Sequence, residues 1–276
     1  MAVPCAASVS RQGRLLVVDD DDLSRQLAAI MLRDWVLDVV SVGTGQEGLD
    51  RFIAESFDLI LLDIQMPGMN GYETCQKMRE FERTHVRRPT PVIALTGTGI
   101  SQEMERYLAS GMNDFLVKPL RMKSLYGLLS RWLTVSPVMP VAKSSSTFSK
   151  VLSEEEVPLV DVQALEILRN ELSRVPGAFE NILTLFLSDI PDKLRELQSA
   201  LDGGHPENVI RLAHNMKSQC GAVGALALKD IFFKMESLAQ KGHLADVAER
   251  MEYATALFAQ VSFCLQQAAK GLWPNH

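Results

Sequence analysis

Four apolar segments in the first half of the chain each end at a side chain suited to phosphate or metal chemistry. In chain order these side chains are Asp19 with Asp20, then Asp63, Thr96 and Lys118. Ligands of open α/β sheets bind at the carboxyl ends of the strands, so we expect these side chains to converge. Converging carboxylates repel each other unless a cation neutralises them, and Mg²⁺ prefers oxygen ligands of this kind. The pattern therefore predicts a magnesium site at this edge.

The groups in this predicted site have complementary chemical uses. A bound cation keeps Asp63 ionised, and an ionised carboxylate can act as a nucleophile toward phosphorus. Lys118 can neutralise phosphoryl oxygens, and the Thr96 hydroxyl can donate a hydrogen bond to them. Together these residues contain the parts of an aspartyl-phosphate site.

A second reactive side chain, His214, lies in an amphipathic stretch of the second half. The apolar residues of this stretch share one helical stripe, and His214 points away from it. We therefore expect His214 to face solvent together with Lys217, Ser218 and Gly221, with the nearby Ile210 as an exposed apolar docking residue. A ring nitrogen of histidine can attack phosphorus, and Lys217 would supply positive charge for the resulting phosphate.

The order of apolar segments predicts the scaffold that carries the carboxylates. Strands are expected over 15–18, 36–42, 59–62, 92–95 and 115–117, with amphipathic helices between them. The segments LLVV and LILL are apolar throughout, as in strands covered on both faces. This alternation indicates an α/β domain with a doubly wound sheet of five parallel strands.

The second half contains helical patterns alone, so the complete chain is expected to be α/β plus all-α. Helices are expected over 162–172, 178–201, 207–220, 226–239 and 246–268. Short connections between long amphipathic helices favour an antiparallel bundle.

A change of composition separates the two halves. The segment 134–158 contains three prolines, a serine cluster and three consecutive glutamates, which predicts a flexible linker. The first domain is then 13–133 and the second is 159–270. Residues 1–12 are expected to be a short leader, because they lack the basic and apolar parts of a secretory signal.

The first half resembles the receiver domain of two-component response regulators. The motifs LLVVDDDD, DLILLDIQMPGMNG, ALTG and FLVKP occur in the order typical of that family. The resemblance implies Asp63 as the phosphoacceptor. It also implies Asp19, Asp20 and Asp63 as Mg²⁺ ligands, with Gln65 adding a backbone carbonyl.

The same resemblance assigns roles to the residues at the last two strand ends. It implies Thr96 as the switch hydroxyl, Lys118 as the phosphate partner and Phe115 at the position of the switch aromatic ring. The bond before Pro119 would be cis, a geometry that is largely confined to proline.

The second half resembles histidine phosphotransfer (HPt) domains. The motif AHNMKSQCGAVGA is similar to their signature, and PLVDVQALEILRNEL with FENILTLFLSDIPDKLRELQSAL is similar to their first two helices. The resemblance implies His214 as the phosphohistidine. Ser218 stands where a glycine is more usual in that family, and this departure leaves His214 and Lys217 intact.

Two other kinds of site share part of these patterns. The segment 43–48 reads GTGQEG, a literal dinucleotide-binding fingerprint, but it does not follow the first strand and leaves Asp19 and Asp20 unexplained. Phosphatases of the haloacid dehalogenase type also use an aspartyl nucleophile, with a second aspartate two residues later as general acid. Gln65 stands at that position here and cannot donate a proton in this way.

Composition narrows the class of protein further. Of 276 residues, 47% are apolar and 22% are charged, which is typical of globular proteins. The net charge of −6 and the lack of a basic helix-turn-helix argue against nucleic acid as a partner. No segment is apolar enough to predict membrane insertion. The four separated cysteines, Cys5, Cys75, Cys220 and Cys264, are typical of reduced thiols in a cytoplasmic, here bacterial, protein.

These expectations combine into a two-component phosphorelay protein. A cognate histidine kinase would phosphorylate Asp63 with Mg²⁺ as cofactor, and His214 would carry phosphoryl groups to or from a receiver aspartate. Histidine-kinase ATP-binding motifs are missing from the sequence, so we expect phosphotransfer and no kinase activity. Three alternatives stay open: Asp63 phosphorylation only gates the HPt domain, both domains are interaction modules without transfer, or the chain is part of a hybrid sensor kinase.

Overall fold

The structure, a computed structural model, describes residues 13–33, 38–97, 104–133 and 158–272. Its first half is an open sheet of five parallel strands in the order β2-β1-β3-β4-β5. The strands are β1 (Arg14–Val18), β2 (Asp38–Val42), β3 (Leu59–Asp63), β4 (Val92–Thr96) and β5 (Asp114–Val117). This confirms the doubly wound sheet. The first two residues expected in β2 lie outside the described residues.

Helices cover both faces of this sheet. They are α1 (Asp22–Leu32), α2 (Gly45–Ala54), α3 (Gly71–Thr84), α4 (Met104–Ala109) and α5 (Met122–Trp132). In β3, Leu59 and Leu61 enter one apolar core and Ile60 and Leu62 enter the other, because successive side chains of a strand point to opposite faces. A strand buried on both faces must be apolar throughout, as the sequence of β3 predicts.

Side-chain caps fix where three of these helices begin. The side chains of Asp21, Thr44 and Asn70 accept hydrogen bonds from the third backbone N–H beyond them, at the starts of α1, α2 and α3. The glycine-rich segment 43–48 is therefore a capped helix start. Its resemblance to a dinucleotide fingerprint has no counterpart in the fold, since it follows β2.

The second half is helical, as expected. Its helices are α6 (Val162–Leu172), α7 (Ala178–Asp202), α8 (Pro206–Ala222), α9 (Leu226–Gln240), α10 (Leu244–Ala248) and α11 (Met251–Ala269). The prediction of one helix over 246–268 is wrong, because the chain turns between α10 and α11. There the N–H of Arg250 bonds to the carbonyl of Val247, three residues back, and this tighter bond ends α10.

The two halves pack against each other. Helix α1 of the first half contacts α6 and α7 of the second, and one apolar cluster continues through Leu23 and Leu27 into the bundle. The leader and all of the linker except Pro158 lie outside the described residues, so the domain boundaries stay predictions. In the part of the chain that is described, no helix is both long enough and apolar enough to cross a membrane.

Gly71 offers a test of how closely α3 packs behind the end of β3. A Cβ atom on Gly71 would lie 2.2 Å from the carbonyl oxygen of Asp63 and 2.9 Å from Cα of Ile64. Both are backbone atoms, so the methyl group must displace the segment that carries Asp63. We expect Gly71→Ala to lower the free energy of unfolding by about 2 kcal/mol in urea denaturation.

Gly127 in α5 provides the matched control. Apart from its chain neighbours and the nearby backbone of α5, a Cβ atom there meets no described atom within 4 Å. Since alanine favours a helix over glycine by about 0.5–1 kcal/mol, Gly127→Ala should leave stability unchanged or raise it. Equal destabilisation by the two substitutions would contradict the packing account.

Candidate functional site

Three carboxylates meet at the carboxyl end of the sheet. Oxygen atoms of Asp19, Asp20 and Asp63 lie within 4.8 Å of one another. Asp19 and Asp20 follow β1 and Asp63 ends β3, and these two strands are neighbours. Asp63 is 1% exposed, so its charge must be balanced locally.

Lys118 balances part of that charge. Its Nζ lies 2.7 Å from Oδ2 of Asp19 and 2.7 Å from Oδ2 of Asp63. Burial raises the pKa of Asp63 to about 8; Lys118 opposes this rise, and the charges of Asp19 and Asp20 add to it. Burial would lower the pKa of Lys118, but the two carboxylates raise it above its usual value. One ammonium group therefore does not neutralise this buried cluster.

The remaining oxygens fit a divalent cation. Oδ1 of Asp20 is buried and has no hydrogen-bond partner among the described residues, so it is available as a ligand. The N–H of Gln65 donates to Oδ1 of Asp63 at 3.3 Å, which holds that carboxylate in place. A set of carboxylate oxygens is the donor type that Mg²⁺ prefers. The role of the Gln65 carbonyl stays a prediction.

Thr96 ends β4 beside the carboxylates and is buried. The hydroxyl of Tyr107 in α4 donates to Oγ1 of Thr96 at 3.1 Å, a contact that the sequence did not indicate. Phe115 is half-buried in β5 and packs against the core on that face. The Lys118–Pro119 peptide bond is cis. The switch roles of Thr96 and Phe115 stay predictions.

The expectation that His214 faces solvent is wrong. His214 is 1% exposed and Lys217 is 6% exposed, and both Ser218 and Gly221 are buried. Ile210 is only partly exposed and packs against the apolar cluster. Both domains cover this face: Gly97 and Pro119 of the first domain lie near His214 and Gly221, and Glu236 of the bundle contacts His214 and Lys217.

Gly97 of the first domain lies close against the histidine ring. A Cβ atom on Gly97 would lie 2.3 Å from Cε1 and 2.7 Å from Nε2 of His214, so only glycine leaves room for the ring. Gly97 directly follows Thr96, so His214 lies against the carboxyl edge of the sheet. The structure thus brings both predicted reactive sites to one interdomain surface.

Glu236 in α9 orients the histidine ring. Oε1 of Glu236 lies 2.8 Å from Nδ1 of His214, and Oε2 lies 2.5 Å from Nζ of Lys217. Burial alone would raise the pKa of Glu236, but the hydrogen bonds and charges of His214 and Lys217 lower it. An ionised carboxylate can only accept hydrogen bonds, so the contact with Glu236 favours the tautomer that has the proton on Nδ1 and the lone pair on Nε2. Nε2 is buried and has no hydrogen-bond partner among the described residues.

Sequence reasoning missed Glu236, although one signal pointed to it. The residue lies four positions after Phe232 and next to Met235, both of which are fully buried in α9. A charged residue within a buried stripe needs a partner, and that rule would have singled it out.

The bundle also binds two of the carboxylates that follow β1, Asp20 and Asp21. Nη1 of Arg211 lies 3.1 Å and Nδ2 of Asn215 3.0 Å from Oδ2 of Asp20. Nζ of Lys193 lies 2.5 Å and Nε2 of Gln219 2.6 Å from Oδ1 of Asp21. Asp21 also caps α1, so this side chain contacts both domains.

A second group of contacts lies at the start of α5. Oε1 of Glu171 accepts from the N–H of Met122 at 3.0 Å, and Nη2 of Arg121 donates to the carbonyl of Gly221 at 3.4 Å. The surface between the two halves is therefore polar near the carboxylates and at α5, and apolar along α1.

Comparison with known proteins agrees with this division. Residues 15–130 match the family model of the response regulator receiver domain, and residues 181–270 match that of the Hpt domain. Signal transduction histidine-protein kinase BarA of Escherichia coli is 28% identical over 229 residues, covering 83% of this chain and 24% of that protein. Sensor histidine kinase AruS of Pseudomonas aeruginosa is 32% identical over 227 residues, covering 82% of this chain and 21% of that protein.

Solved structures match over the first half. Chemotaxis protein CheY4 of Vibrio cholerae is 30% identical, with a TM-score of 0.41, covering 44% of this chain and 99% of that one. This chain spans about a quarter of the length of BarA. The chain contains a response regulator receiver domain over residues 15–130 followed by an Hpt domain over residues 181–270, two modules of two-component phosphorelay signalling.

Proposed function

We propose that this chain is a phosphorelay intermediate that carries a phosphoryl group first on Asp63 and then on His214. The observation that carries the proposal is the contact of the His214 ring with Gly97, at the carboxyl edge that holds Asp63. Two groups that can each bond to phosphorus are thereby held at one interface within a single chain.

The first step is the loading of Asp63 by a histidine kinase. A carboxylate oxygen of Asp63 attacks the phosphorus of the donor's phosphohistidine, and the phosphorus–nitrogen bond breaks. Mg²⁺ held by Asp19, Asp20 and Asp63 would neutralise the phosphoryl oxygens and keep Asp63 ionised. Lys118, already at 2.7 Å from Asp63, can follow the oxygens as they gain charge.

The second step transfers the group between the domains. The lone pair on Nε2 of His214 attacks phosphorus, and the bond between phosphorus and the Asp63 oxygen breaks to restore the carboxylate. The ring becomes positively charged while Nδ1 keeps its proton. Glu236 accepts that proton's hydrogen bond at 2.8 Å and so stabilises the new charge.

A second candidate function rests on the burial of His214. The receiver domain covers the ring, so another receiver can reach it only after the two domains separate. Phosphorylation of Asp63 would then gate access to His214. Under either function the chain transfers phosphoryl groups supplied by other proteins, a cognate kinase and a further receiver.

Labelling with acetyl phosphate and Mg²⁺ tests the order of the two sites. Wild-type protein should acquire phosphate at Asp63 and at His214, whereas Asp63→Asn should acquire neither. His214→Gln should retain only the acyl phosphate, which hydroxylamine cleaves. Mass spectrometry distinguishes the sites. A wild-type protein that stays unlabelled, or phosphohistidine formed in Asp63→Asn, would contradict the relay.

The raised pKa of Asp63 predicts that Mg²⁺ affinity depends on pH. Below about pH 8 the metal must displace the Asp63 proton, so affinity should rise by up to about tenfold per pH unit and level off above pH 8. Calorimetric titration at pH 6.5, 7.5 and 8.5 measures this slope. Asp63→Asn should bind more weakly and show a smaller slope. Equal slopes in wild type and Asp63→Asn would show that the proton displaced by Mg²⁺ comes from a group other than Asp63.

Glu236 should affect the transfer step and leave the loading of Asp63 intact. Glu236→Leu removes both the hydrogen bond to Nδ1 and the negative charge, and we expect transfer to His214 to slow by at least about tenfold. Glu236→Gln keeps an acceptor oxygen, so its rate of transfer to His214 should lie between those of wild type and Glu236→Leu. Imidazole ¹⁵N chemical shifts should show the Nδ1–H tautomer in wild type and a mixture in Glu236→Leu. Unchanged shifts and unchanged transfer would contradict this role.

A further inference from the structure

Asp21 belongs to neither reactive site, yet it is one of the most fully paired carboxylates in the structure. It is 1% exposed, and its Oδ2 accepts from the N–H of Ser24 at 3.0 Å and from the hydroxyl of Ser24 at 2.8 Å. Its Oδ1 faces the bundle, where Lys193 and Gln219 reach it from α7 and α8. One oxygen caps a helix of its own domain and the other binds the opposite domain.

The bundle residues that bind the two acidic side chains form an ordered surface, which we call the carboxylate-reading row. It consists of Arg211, Asn215 and Gln219 on α8 together with Lys193 on α7. The three α8 residues are four positions apart, so they share one helix face. Arg211 and Asn215 bind Asp20, and the other two bind Asp21.

Lys193 is also held by a contact within the bundle. Asp189, one turn earlier on α7, lies 2.6 Å from Nζ of Lys193 and also accepts from Gln219. A receiver without a carboxylate at position 21 would bury Lys193 beside one charge only and would lose a donor–acceptor pair with Gln219. Leaving buried charges short of partners is costly, so this position discriminates between receivers.

We propose that Asp21 is the residue by which the bundle recognises its own receiver domain. Its contact with Lys193 and Gln219 also keeps His214 covered, so that other receivers do not reach it. The partner that fits the carboxylate-reading row is a receiver with carboxylates at the second and third positions after its first strand, the latter of which caps the following helix. This inference rests on the proposed function, because selection has consequences only if phosphoryl groups pass between the domains.

Transfer between two full-length chains tests the proposal. The donor is His214→Gln, loaded on Asp63 with acetyl phosphate, and the acceptor is Asp63→Asn, which can be labelled only at His214. In the acceptor, Asp21→Asn keeps the helix cap, since asparagine caps as well as aspartate, but removes the charge that Lys193 binds. We expect its own receiver to dock less tightly and transfer from the donor to rise about tenfold, which corresponds to about 1.4 kcal/mol.

Lys193→Gln in the acceptor separates selection from simple opening. It breaks the same contact inside the acceptor, but it also removes the group that the donor's Asp21 would bind. We therefore expect His214 to become more accessible in both variants, while transfer rises only with Asp21→Asn. Accessibility is read independently of phosphate, as the rate at which diethyl pyrocarbonate acylates His214.

Asp22→Asn is the matched control. It removes the same charge one residue later, from a side chain that is 52% exposed and whose hydrogen bonds go to Arg25 and Gln26 within α1. It should change neither acylation nor transfer.

Failure of the donor to become labelled would refute the proposed function, with the acylation rates still testing the contact. Equal transfer to the Asp21→Asn and Lys193→Gln acceptors, from a labelled donor, would refute selection and leave the relay intact.

Discussion

The organising constraint in this molecule is the concentration of negative charge at the carboxyl edge of the receiver sheet. Four carboxylates are held there, and Asp19, Asp21 and Asp63 are almost fully buried. A buried charge is tolerated only when it is paired and hydrogen-bonded. Among the described residues, the receiver domain supplies a single ammonium group at Asp19 and Asp63, that of Lys118. The remaining compensation comes from the bundle and, in the proposed function, from Mg²⁺.

This constraint explains why the polar face of α8 is buried. The carboxylates of Asp20 and Asp21 accept hydrogen bonds from this face and so replace water. The donors are Arg211, Asn215 and Gln219. His214 lies on the same helix, so the pairing that satisfies the carboxylates also brings the ring to Gly97. The contacts that neutralise Asp20 and Asp21 therefore also place His214 at the carboxyl edge of the sheet.

Within each domain, the sequence predicted most of what the structure contains. Continuous apolar runs located β1 and β3, and the residues at the strand ends located the carboxylate cluster, because a parallel sheet brings those ends together. The turn between α10 and α11 was missed because no glycine or proline marks it. Its cause is a shift from α-helical to tighter hydrogen bonding, which leaves no signature in residue type.

Between the domains, sequence reasoning failed for a physical reason. Helical periodicity separates an apolar face from a polar one, but it does not say whether the polar face meets water or another polar surface. His214 was therefore assigned to solvent. The contact between Asp21 and Lys193 could not be predicted from the sequence, because the two residues are 172 positions apart in the chain.

Asp20 shows how closely the two functions of this edge are joined. Its Oδ2 is bound by Arg211 and Asn215 of the bundle. Its Oδ1 has no hydrogen-bond partner among the described residues and is therefore available to a cation. Two ligands that share one carboxylate affect each other's binding free energy reciprocally. Whatever neutralises Oδ1 alters the charge that Arg211 meets at Oδ2. Docking of the bundle in turn fixes the orientation of Oδ1, so the state of the receiver's acidic site and the position of His214 are linked through a single side chain.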